Sequence, residues 1–81
     1  MNGIQCKLAR VALGWGVRDL AEEANVSTQT ISRLERGEQL RVRTTDGIRK
    51  VFEEAGIEFI VEGSIGFGIM IKKPYAPLAD I

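Results

Sequence analysis

Histidine is absent from this 81-residue chain, and cysteine occurs once. The common zinc-ligand sets are thereby excluded, so neither a metal site nor a cofactor is expected. The single thiol, Cys6, cannot close an internal disulfide, which suits a reducing cytoplasm. No run reaches the roughly 18 apolar residues of a membrane span, and MNGIQCKLAR at the start lacks the continuous apolar block of a signal peptide. Both prolines fall in KPYAPLADI, residues 73–81, which reads as an extended tail. There is also no net charge, with 11 basic side chains against 11 acidic ones. A basic surplus is the usual footprint of nucleic-acid binding, so the sum alone counts against that function. An enzyme is disfavoured too. Glu53, Glu54, Glu58 and Glu62 read as solvated helix and strand faces, and Ser27 is better explained as a helix cap. No small-molecule substrate is expected.

What remains is ordinary globular material, 44% apolar and 27% charged, enough for one domain with a modest core. Its charge is polarised along the chain. Residues 27–50 hold Arg33, Arg36, Arg41, Arg43, Arg49 and Lys50 against Glu35, Glu38 and Asp46, whereas residues 51–62 hold only acids. A basic face able to meet phosphate, backed by an acidic one, fits that order.

Residues 16–37, GVRDLAEEANVSTQTISRLERG, carry most of the functional information. Leu20, Ala21 and Ala24 mark one face of a short helix over 17–24, and Ile31 and Leu34 an inward stripe on a second over 28–36. Asn25-Val26-Ser27 joins them. Asn tolerates the left-handed backbone needed to leave a helix, Val26 plugs the angle, and Ser27 caps the next helix. This is a helix-turn-helix, the unit that lays its second helix in the DNA major groove.

Ahead of it, a helix over 3–13 is predicted, capped by Asn2, with Ile4, Leu8, Val11 and Ala12 as its inward stripe. Gly14-Trp15-Gly16 ends that helix, and Trp15 is assigned to the core. Gly37 stops the second helix of the motif. After a polar, basic loop, Thr44 or Thr45 caps a fourth helix over 45–55, with Ile48, Val51, Phe52 and Ala55 inward. The period then changes to two. Strands over 57–62 and 67–72 form a hairpin around Gly63-Ser64-Ile65-Gly66. Ile57, Phe59, Val61, Phe67, Ile69 and Ile71 face the helices. Ile60 and Met70 are left on the other face, where burial against a second copy of the chain is expected.

Residues 4–56 resemble the phage-repressor helix-turn-helix family, of Cro/CI or XRE type. The resemblance rests on Arg10, Leu20-Ala21-Glu22-Glu23-Ala24, Val26-Ser27, Ile31-Ser32-Arg33-Leu34-Glu35 and Gly37. It implies a mostly α fold, a lambda-repressor-like bundle, here carrying the C-terminal β-hairpin as an addition. The division is 1–56 as DNA-binding domain, 57–72 as dimerisation hairpin and 73–81 as tail. It also implies a structural salt bridge between Arg10 and Glu35, and a dimeric repressor reading a palindromic operator in double-stranded DNA.

On that model Ser27, Thr28, Gln29, Ser32 and Arg33 contact bases. Gln suits adenine, Arg suits guanine, and a Thr methyl suits the thymine methyl. Lys7, Arg36, Arg41 and Arg43 are the candidates for phosphate or minor groove. An alternative on the same fold is an antitoxin, or another interaction module, whose C-terminal strands bind a toxin-like protein. The sequence departs from the family at Gly16 and Val17, where a Ser/Thr cap and a Gln phosphate donor are usual, and at Thr45, where an apolar residue is common. These departures predict modest DNA affinity per monomer.

Overall fold

Four helices and a two-stranded antiparallel sheet follow one another in a computed structural model that describes residues 1–61, 63 and 65–72. They are α1 (Gly3–Ala12), α2 (Val17–Ala24), α3 (Thr28–Glu35), α4 (Val42–Glu54), β1 (Ile57–Ile60) and β2 (Gly68–Ile71). The expected tail 73–81, and Glu62 and Ser64 of the expected hairpin, lie outside the described residues.

Local chemistry sets the helix ends. Asn2 and Gln5 form a reciprocal capping box: the Asn2 Oδ1 accepts from the Gln5 N–H at 2.8 Å, and the Asn2 N–H donates to Gln5 Oε1 at 2.9 Å. Ser27 Oγ accepts from the Thr30 N–H at 3.1 Å at the start of α3. The first three helices share one stop. Gly14, Asn25 and Gly37 are left-handed, and each of them and the residue after it turn their N–H groups back onto the last carbonyls of the helix. At α3 these bonds run from Gly37 N–H to the Leu34 carbonyl, 2.9 Å, and from Glu38 N–H to the Arg33 carbonyl, 3.0 Å.

The inward face of α1 is not the predicted one. Ile4 and Val11 are 59% and 65% exposed, and Leu8 is also exposed. Gly3, Gln5, Cys6 and Ala9 are buried instead, with Leu13 at the helix end. Both stripes have helical spacing, and size decides between them. The backbone of α1 lies so close to the end of α3 that a Cβ on Gly3 would collide with the Leu34 carbonyl oxygen. Cys6 and Ala9 permit that approach, and branched side chains at Ile4 or Leu8 do not.

Helix α4 also differs. It starts at Val42, with Arg41 as N-cap and no side-chain cap bond, so neither Thr44 nor Thr45 caps it. The Thr45 N–H and hydroxyl both donate to the Arg41 carbonyl, at 3.1 and 3.3 Å, which places Thr45 inside the first turn. Its inner face is as expected, with Ile48, Phe52 and Ala55 buried and Val51 half-buried.

Trp15 is buried and stacks on Phe52 at 5.8 Å, and Phe52 meets Phe59 edge-on, also at 5.8 Å. This aromatic row runs from the α1–α2 joint through α4 into β1. The strand register pairs Ile57 with Ile71, Glu58 with Met70, Phe59 with Ile69 and Ile60 with Gly68. Ile57 is buried and Phe59, Phe67 and Ile69 are half-buried toward the helices. Val61 and Ile71, expected inward, are exposed: Val61 lies past the last ladder pair and Ile71 at the open end of the sheet. The sheet is tied to α1 by Gln5, whose amide Nε2 donates to the Ile60 carbonyl at 2.7 Å and to the Gly68 carbonyl at 2.8 Å. Gln5 is 3% exposed, and with Asn2 on its oxygen every strong bond it makes is internal.

Two glycine substitutions should therefore move stability in opposite directions. Gly3→Ala forces α1 off α3 and is expected to lower Tm by roughly 5–15 °C, equivalent to about 1–3 kcal/mol. Gly47→Ala, on the exposed side of α4 where a Cβ meets nothing within 4 Å, is expected to raise Tm by a few degrees, from about 0.5–1 kcal/mol of helix propensity. Thermal melts of the two variants check both.

Candidate nucleic-acid interface

Helix α3 buries Ile31 and Leu34 and leaves Thr28, Gln29 and Arg33 exposed, with Ser32 half-buried beside them. At about 100° per residue these four positions occupy a single arc of roughly 140°. Ser27 is exposed at the head of the helix, its oxygen bonded to the Thr30 N–H and lying 2.9 Å from the Thr30 hydroxyl. Ser27, Thr30, Arg33, Gln39, Leu40 and Arg41 line one open cleft between α3 and the start of α4. Two base-reading candidates, Ser27 and Arg33, thus meet one phosphate candidate, Arg41, along one edge.

The four phosphate candidates are not equivalent. Arg41 is the N-cap of α4 and Arg43 lies in its first turn, not in a loop as expected, because the helix begins earlier. Arg43 lines a groove with Val42, Asp46, Gly47 and Lys50 along the exposed side of α4. Among the described residues neither Arg41 nor Arg43 enters an ion pair. Lys7 is set apart, on the outer side of α1 with Ile4, Leu8 and Val11. Arg36 is exposed, but it is engaged: its Nη2 donates to Glu38 Oε2 at 2.9 Å, while Arg33 Nε donates to Glu38 Oε1 at 2.9 Å. Those bonds, with Arg36 contributing most, hold the Glu38 carboxyl below its usual range. Sequence reasoning overlooked Glu38. The available signal was an acid immediately after a helix-stopping Gly37, five residues beyond an Arg.

The helix start before the motif keeps part of its cap. Gly16 has no side chain to offer, but its N–H donates to Asp19 Oδ2 at 2.7 Å. Val17 supplies no polar atom at the first position of α2; the exposed Arg18 and the capping Asp19 follow it in the first turn.

Behind the interface, Arg10 grips the other end of α3. Its Nε and Nη2 donate to Glu35 Oε2 and Oε1 at 2.8 and 2.9 Å, and Nη1 donates to the Trp15 carbonyl at 3.1 Å. The two side chains are 13% and 12% exposed. The Cys6 thiol donates to the same carboxylate at 3.4 Å. Burial, and then the Glu35 charge, push that thiol up to about 12, so it stays a protonated donor. Burial works to raise the Glu35 carboxyl, but the hydrogen bonds and charge of Arg10 outweigh it and leave the group below its ordinary 4.5.

A folded-state carboxyl that is depressed adds stability at pH values above its unfolded value, and that stability is lost as pH falls through the folded one. Glu35→Ala is expected to lower Tm by roughly 10 °C or more at neutral pH, from about 2–3 kcal/mol, somewhat under the cost of breaking a fully buried pair. The gap between wild type and variant should narrow as pH is taken below 4.5. Melts across pH test this, and an unchanged midpoint would remove the pair from the account.

Residues 7–44 match the helix-turn-helix family model HTH_3. No curated protein matches the chain. The matched stretch runs from within α1 to the first turn of α4 and contains the whole α2–α3 unit. Its exposed arc on α3, its Ser27 cap and its Arg10–Glu35 tie all lie inside those bounds, and over this stretch the chain is similar to the XRE-type helix-turn-helix family of DNA-binding regulators.

Proposed function

We propose that the protein is a sequence-specific DNA-binding repressor that reads a palindromic operator as a homodimer. The observation that carries this reading is the exposed arc of α3 meeting Arg41, the N-cap of α4, across one cleft, with Arg43 in the first turn of that same helix. Cations at a helix N-terminus oppose the macrodipole and cost the helix some stability. Phosphate reconciles the arrangement: its charge suits the free N–H groups of α4 and Arg41 and Arg43 together. On α3, Gln29 offers a bidentate pair to adenine, Arg33 one to guanine, and Thr28 a methyl to thymine. Ser27 and Ser32 supply shorter-range polar contacts.

The second copy is brought in by the outer face of the hairpin, where Ile60 and Met70 are 47% and 51% exposed. Two reading helices set about 34 Å apart then meet successive major grooves on one side of the duplex. Without a polar side chain at Val17, one protomer holds few phosphates, which makes pairing of protomers valuable. Arg36 and Lys7 play lesser parts, the first because Glu38 occupies it and the second because it lines another surface, beside α1 and Glu35, and not the cleft.

Selection of binding sites from random DNA tests the reading. The expected product is a palindrome with half-sites about 10 bp apart. Arg33→Ala should change the base preferred at one position per half-site, at a cost of about 1–3 kcal/mol in discrimination. Arg43→Ala should weaken binding to all sequences alike and reduce the salt slope by about one per protomer. Recovery of no motif by the wild-type protein would contradict the proposal and favour a protein-interaction module.

A further inference from the structure

Glu38 stands where a helix stop usually places an apolar residue. In the helix-ending motif shared by α1, α2 and α3, the residue after the left-handed one folds back over the residue five positions earlier. At α1 that residue is Trp15 and at α2 it is Val26, both packed against the core. At α3 it is Glu38, which folds back over Arg33. Its backbone is fixed by the bond to the Arg33 carbonyl and by the left-handed Gly37, so the carboxylate is delivered to the Arg33 side chain by main-chain geometry. The pairs it makes have side chains 44–64% exposed. Ion pairs that open to solvent add little to stability, so holding the fold does not account for this placement.

The atoms used are informative. Glu38 takes Arg33 through Nε and Arg36 through one Nη2, using both carboxylate oxygens. Among the described residues, both terminal nitrogens of Arg33 are therefore left for a ligand. Those outer N–H groups form the parallel fork that meets the O6 and N7 of guanine. A flexible arginine loses side-chain freedom when it docks, and one already held through Nε loses less. The carboxylate is offset by two guanidinium groups, so the cluster as a whole stays cationic toward phosphate.

We propose that Glu38 is a positioning residue that holds Arg33 through its Nε and so sets the preference for guanine at the base that Arg33 reads. This rests on the proposal that α3 reads bases, and the experiment separates the two. Binding sites are selected from random DNA with the wild-type protein, Glu38→Ala and Glu38→Gln. Affinities for the selected duplex, its single-base variants and an unrelated duplex are then measured over a range of salt concentrations.

Glu38→Ala should lower the preference for guanine at the Arg33 position by about tenfold, within the range of one bidentate contact. Binding to the unrelated duplex should tighten at the same time, and the salt slope should steepen by about one per protomer as Arg36 is released to phosphate. Glu38→Gln keeps an oxygen for Arg33 Nε but loses the charge. It should retain the base preference to within about threefold while steepening the salt slope as the alanine variant does.

A Glu38→Ala protein that binds all duplexes more tightly in equal proportion, with its motif intact, would overturn the proposal and leave Glu38 as a charge screen. So would a loss of base preference in Glu38→Ala that Glu38→Gln shares in full. A wild-type protein that selects no motif would overturn base reading itself and this inference with it, which distinguishes that failure from the other two. Glu38 is exposed, and a melt of each variant checks that its fold is intact.

Discussion

The salt bridge between Arg10 and Glu35 is the contact on which the placement of α3, the proposed reading helix, depends. It joins three parts of the chain through one guanidinium: α1, which carries it, the α1–α2 joint through the Trp15 carbonyl, and the last turn of α3. It forms only because α1 lies close to α3, and that closeness comes from Gly3, Cys6 and Ala9. With its far end clamped, α3 presents Thr28, Gln29 and Arg33 from a fixed base. A base contact is worth its full discrimination only when the side chain arrives at a defined position.

Zero net charge and the proposed DNA-facing surface are compatible here because the charges are sorted. Glu35 is spent on Arg10, Glu38 on Arg33 and Arg36, and Asp46 lies 3.1 Å from Arg49. Arg41 and Arg43 remain without ion pairs among the described residues, at the end of α4 whose N–H groups favour an anion. The balance of the whole sequence says little about the field at that edge, since exposed charges beyond about 10 Å are largely screened at ordinary salt.

The α2–α3 unit was legible because its signals are local and agree. The apolar spacing of Leu20, Ala21, Ile31 and Leu34, the left-handed Asn25 and the Ser27 cap all point to the same two helices. The alternation from Ile57 and the glycine-rich turn announced the hairpin in the same way. The inward face of α1 was not legible, because Ile4, Leu8 and Val11 repeat with the same period as Gln5, Cys6, Ala9 and Leu13. Only the distance to α3 chooses the smaller set. The start of α4 was misplaced because a threonine before a helix and a threonine bonding back within its first turn look alike in one dimension. The reach of Glu38 to Arg33 and Arg36 follows from a helix stop whose apolar position holds an acid, and its effect on Arg33 appears only once the fold-back is built. The outer hairpin face was marked correctly by alternation at Ile60 and Met70, but the sequence exaggerated how far the inner face extends at Val61 and Ile71.

The most direct test of an α3 that reads DNA while arginines at α4 hold it is a salt titration of binding to a selected operator and to a scrambled duplex. With Arg41 and Arg43 from two protomers on phosphate, affinity for both duplexes should fall roughly a hundredfold between about 50 and 200 mM salt. Operator binding should stay tighter throughout, by about a thousandfold or more. Equal affinity for the two duplexes, or binding that ignores salt, would contradict the account.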